Sequence, residues 1–86
     1  MSGQQFDYSA MWERSGLTIA DPWVRAKDLA ALFPQATVDG LKKRFTRCRQ
    51  LLGKRRDSPV HVAEIAHALE IPIAHVVSSV KQARRE

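Results

Sequence analysis

Eight bases, Lys42, Lys43, Arg44, Arg47, Arg49, Lys54, Arg55 and Arg56, lie between positions 42 and 56 with no acid among them. A positive field so concentrated draws a polyanion, because ammonium and guanidinium groups bind phosphate oxygens through charge-assisted hydrogen bonds. Other chemistry-bearing residues lack the company they would need. His61, His67 and His75 have no cysteine or carboxylate at metal-site spacing. Ser78-Ser79 has no base or oxyanion motif beside it, and no Gly-rich phosphate loop is present. Cys48, the single cysteine, falls at an apolar helical position and reads as a small core residue in a reducing compartment. These residue types predict binding rather than catalysis, with no cofactor and no metal.

The elements that must carry these residues follow from an internal repeat. Val24-Arg25-Ala26-Lys27-Asp28-Leu29-Ala30 returns 36 positions later as Val60-His61-Val62-Ala63-Glu64-Ile65-Ala66, with branched, small, acidic and aliphatic residues in the same order. Each stretch predicts a short helix, reaching Phe33 in one copy and Leu69 in the other. Each helix is broken near a proline, Pro34 or Pro72, and a second helix follows. In the first copy that second helix is expected over residues 38–52, where Val38, Leu41, Phe45, Cys48 and Leu52 share one face. Thr37 is its expected N-cap and Gly53 its expected stop. Gly40 either costs helix propensity or marks a close approach between backbones. In the second copy the last helix begins near Pro72, with Val76, Val80 and Ala83 inward. Residues 24–26 and 60–62 alternate apolar and polar side chains and could pair as a very short β ribbon.

Before the repeat, residues 1–5 are expected to fray, and Phe6, Tyr8, Ala10, Met11 and Trp12 predict a short helix or packing arm ending at Ser15-Gly16. Trp12 and Trp23 are expected as core anchors rather than base-stacking platforms. The fold class is therefore all-α. About five helices form two tandem helix-turn-helix units, with repeat copies at 22–53 and 58–86 inside a single domain spanning 1–86. The chain of 86 residues carries a formal charge of +5, with 44% hydrophobic and 27% charged residues, which suits a folded domain and not a disordered one. No basic segment followed by an apolar run opens the sequence, and no apolar run approaches the ~20 residues of a membrane span. A cytoplasmic protein with no membrane partner is expected.

Residues 64–85 resemble the helix-turn-helix of region four in bacterial sigma factors and of related response-regulator output domains. Ile65-Ala66, Leu69, Ile71-Pro72, Val76, Ser78, Val80 and Ala83-Arg84 carry the likeness. Glu70 departs from it, since that turn usually holds glycine; the residue must accept strained geometry or a different turn. The resemblance implies a double-stranded DNA partner, with Ile73, Ala74, His75, Ser78, Lys81 and Gln82 toward the groove and Ala74, His75, Ser78 and Gln82 reading bases. Phosphate contacts are expected from Lys42, Lys43, Arg47, Arg49, Lys54, Arg55, Arg56, Lys81, Arg84 and Arg85.

The expected function is a repressor-like, sequence-specific transcriptional regulator of the small kind carried by phages, plasmids or other mobile elements, acting as a monomer or a homodimer. Two alternatives stay open. The scaffold could serve as a protein-interaction module, an inhibitor or adaptor docked on a protein partner, or the basic helix could bind RNA.

Overall fold

The computed structural model describes residues 7–85, so the expectation of fraying at 1–5 and the place of Phe6 lie outside the described residues. Within them the fold is mainly helical with a small two-stranded sheet. Helix α1 spans Tyr8–Ser15, strand β1 Trp23–Val24, helix α2 Val38–Leu51, strand β2 Val60–His61, helix α3 Val62–Leu69 and helix α4 Ile73–Arg84. A single 3₁₀ turn over Ala26–Leu29 follows β1.

Local signals account for most of these boundaries. The Asp7 carboxylate accepts from the Ala10 amide at 3.1 Å, and Gly16 closes α1 in the left-handed conformation at φ 67°. Thr37 caps α2 by accepting from Gly40 N–H at 3.0 Å, and Gly53 stands just past its end at φ 69°. Gly40 marks no approach between helices: a side chain there would meet Thr37 Oγ1 and the Ala36 methyl of its own segment.

The expected ribbon is present but shorter, and its first strand is shifted: Trp23–Val24 where 24–26 was expected, and Val60–His61 where 60–62 was. Val24 faces Val60 and Trp23 faces His61, antiparallel. Val24 and Val60 occupy the same position of the two copies, so the ribbon has a local two-fold axis passing between them. The next hydrogen-bonded pair would be Ala26 with Ser58, but Ser58 N–H donates to Arg55 O and its carbonyl accepts from Arg49 Nε, and the ladder stops. The 3₁₀ turn packs on α2 and α4, while α3 packs on α4 and α2.

One expected helix is replaced. Residues 26–33 read as a helix, yet they form the 3₁₀ turn and a run of tight turns, leaving four α-helices among the described residues in place of about five. Pro34 stands at the repeat position of Glu70, two residues earlier than Pro72 does in its own copy. It bars Phe33 from helical geometry, so the segment closes with shorter-range bonds such as Ala30 N–H to Lys27 O and Leu32 N–H to Leu29 O.

The core is one cluster fed by both copies. Leu29 and Ile65, equivalent in the repeat, are fully buried, as are Val60, Val62, Val76 and Val80; Val24, Leu41, Phe45, Cys48, Ala66 and Val77 complete it. The acids of the repeat are buried too, and each caps its own copy. Asp28 accepts from the Arg25 amide at 2.8 Å and Glu64 from the His61 amide at 3.0 Å. Each acid also pairs with a base from outside its own copy: Glu64 with Lys54 of the connecting segment at 3.0 Å, and Asp28 with Arg84 of the second copy at 2.9 Å. Trp12 packs against this core as expected, whereas Trp23 is 40% exposed and meets the protein chiefly through its edge contacts with His61 and Tyr8.

Candidate nucleic-acid interface

The α3–α4 pair holds the clearest outward face. Its three-residue connection begins at Glu70, whose φ of 56° and ψ of 44° are left-handed. Glu70 N–H donates to His67 O and Ile71 N–H donates to Ala66 O, the double closure of a Schellman turn. Of the two options open to a non-glycine residue at this position, the chain takes the strained geometry. Pro72 then caps α4, its carbonyl accepting from His75 and Val76 amides.

Along α4, Val76, Val77, Ser79 and Val80 are buried, and Ala74, His75, Ser78 and Gln82 are all exposed. At about 100° per residue these four fall within an arc of roughly 100°, opposite the valines. Lys81 is half-buried on its flank and Arg85 is exposed just beyond the helix, whereas Ile73, expected toward the groove, falls on the valine side and packs against the core. Ser79, one residue on from Ser78 and about 100° around the helix, is buried at the edge of the inner side, a place the sequence reading left unassigned.

Two of the ten expected phosphate ligands are spent inside the fold. Arg84 Nε and Nη2 donate to the two oxygens of Asp28 at 3.1 and 2.9 Å, and its Nη1 and Nη2 donate to the carbonyls of Asp21 and Trp23. It fixes the end of α4 to β1 and the 3₁₀ turn, and is a positioning residue. Burial alone would raise the Asp28 carboxyl, but hydrogen bonds from Arg84 and the Arg25 amide, with the charges of Arg84 and Lys27, outweigh it and hold the group below its ordinary 3.8. Lys54 donates to Pro59 O at 2.7 Å and pairs with Glu64, so it ties the connecting segment to α3. A third, Arg49, is partly committed: its guanidinium stacks on Phe45 at 4.5 Å and its Nε donates to Ser58 O at 3.1 Å.

Lys42, Lys43, Arg47, Arg55 and Arg56 are exposed. They are not equivalent. Lys43 and Arg47 stand on the convex side of α2, the side that also exposes Leu51, while Lys42 and Arg56 join Arg49 along the flank nearer β1. Arg44 lies over the Phe33 ring at 4.4 Å and helps anchor the turns before α2.

His61 sits under α1 and is 4% exposed. Tyr8, Trp12 and Trp23 surround its ring at centroid distances of 4.8, 5.2 and 5.3 Å. Its Nδ1 accepts from the Ala63 amide at 3.1 Å, which caps α3 and requires the neutral ring. Burial pushes its pKa down, against the opposing charge of Glu64 and with that of Lys54. His61 is thus an anchor for α1 and α3, distinct from the exposed His75.

No helix among the described residues is long and apolar enough to cross a membrane. Comparison with family models, with curated proteins and with solved structures returned no match to this chain.

Proposed function

We propose that the chain is a sequence-specific, double-stranded DNA-binding regulator that acts in repressor fashion, by occupying its site. In this reading α3, its three-residue connection and α4 work as a helix-turn-helix, α4 enters the major groove, and His75, Ser78 and Gln82 meet base edges with Ala74 against a thymine methyl. The observation that carries the reading is the outward arc of Ala74, His75, Ser78 and Gln82 on a helix whose other side is locked by three buried valines. Bases along one flank of α2 and in the segment after it, Lys42, Arg49 and Arg56, hold phosphates, and Lys81 and Arg85 flank the reading face. The anchored Arg84 keeps that face at a fixed angle.

Selection of binding sites from random duplexes tests this directly. Wild type should enrich one motif, and Ser78→Ala or Gln82→Ala should change the preferred base at one or two positions while binding to bulk DNA is little altered. Losing one good base contact is worth about 1–3 kcal/mol of discrimination. An unenriched pool for wild type, or the same motif for wild type and both variants, would refute it; capture of a protein in place of DNA would favour the adaptor reading.

A further inference from the structure

We infer that the flank of α2 nearer β1 is a preformed seat for a phosphodiester backbone, an assignment that rests on the duplex-DNA reading above. Two adjoining surface depressions meet on this flank. Arg25, Lys42, Thr46 and Arg49 border the first, and Thr46, Arg49, Gln50, Lys54 and Arg56 border the second. They share Thr46 and Arg49, so they form one trough, and no carboxylate lines either part.

Of its five bases only Lys54 is neutralised, by Glu64. Arg25, Lys42, Arg49 and Arg56 form no ion pair among the described residues. Hydroxyl and amide donors from Thr46 and Gln50 stand between them, the mixture of charge and neutral donors that grips phosphate oxygens. From Lys42 to Arg49 the helix rises about 10 Å, enough to follow more than one phosphate of a strand.

The distinguishing feature is Arg49. An ordinary surface arginine must be ordered when it binds, at a cost in side-chain entropy. Here the guanidinium is already held over the Phe45 ring at 4.5 Å and fixed by its Nε bond to Ser58 O, with no hydrogen bond from either Nη to the described residues. That edge is a ready two-nitrogen fork for a phosphate, at the junction of the two depressions. The bases a sequence reading would favour on helical outwardness, Lys43 and Arg47, lie on the convex side and outside this trough.

The test measures affinity for a duplex carrying the selected site, by fluorescence anisotropy over a series of salt concentrations. Two double variants of exposed residues are compared with wild type, Lys42→Gln with Arg56→Gln and Lys43→Gln with Arg47→Gln, each checked by circular dichroism for an unchanged melt. The trough pair should lower the slope of log affinity against log salt by about 1.8, two phosphates at about 0.9 each, and leave the selected motif unchanged. The convex pair should leave the slope near the wild-type value. Wild-type DNA binding with an unaltered slope in the trough pair, or with the loss appearing in the convex pair, overturns the seat and spares the regulator reading. Absence of any salt-sensitive duplex binding by wild type overturns both.

Discussion

Replacing Glu70 by glycine should stabilise the protein. Glu70 holds φ 56° and ψ 44° at the end of α3. A side chain with a Cβ loses about 1–2 kcal/mol in that conformation, while glycine loses none of it but orders a freer unfolded chain at about 0.4–1 kcal/mol. The balance favours glycine by roughly 0.5–1 kcal/mol, and removing a carboxylate from the negative end of α3 adds a few tenths. For a domain of this size about 1 kcal/mol corresponds to a rise in melting temperature of about 4–8 °C. Thermal and urea unfolding followed by far-ultraviolet circular dichroism will measure it, with Glu70→Gln and Glu70→Ala as controls. Glutamine removes the charge alone, and alanine removes the side chain but keeps the Cβ, so both should gain only a few tenths of a kcal/mol. An E70G variant no more stable than E70A would refute the claim that the left-handed backbone, and not the carboxylate, is the source of strain.

Two further perturbations probe the positioning groups. Asp28→Asn leaves Arg84 facing a neutral amide across a nearly buried pair and should cost about 3 kcal/mol in urea unfolding, and Arg84→Lys, which keeps charge but not the fork, should also destabilise; a loss under about 1 kcal/mol in both would show that the pair does not fix α4. Because burial lowers the His61 pKa, the unfolded chain binds that proton more readily, so stability is complete above about 6.5 and declines as pH falls from there toward the folded value. His61→Asn, whose side-chain oxygen can keep the cap on Ala63 N–H, should abolish that part of the pH slope; an unchanged slope would place its origin elsewhere.

What the sequence made legible was what a period or a repeat could mark. The 3.6-residue period marked the buried Val76 and Val80 and the exposed Ala74, His75, Ser78 and Gln82, and the repeat located Val24 and Val60 for the ribbon. The missing fifth helix shows a local signal read at the wrong weight: Ala26 to Phe33 are good helix formers, and Pro34, standing where the other copy has Glu70, overrides them. Arg84 was illegible as an anchor because its partner Asp28 lies 56 positions earlier. Nothing in the run of bases separated the trough side of α2 from its convex side, since that distinction is made by Arg25 and the segment around Ser58, both remote from the helix.

The lone thiol offers a practical return. Cys48 is 1% exposed in the last turn of α2, and burial raises its pKa, so a water-borne disulfide reagent finds neither access nor thiolate while the helix is seated. Its labelling rate therefore counts how often α2 lifts away, a native-state clock already written into the chain that requires no engineered probe.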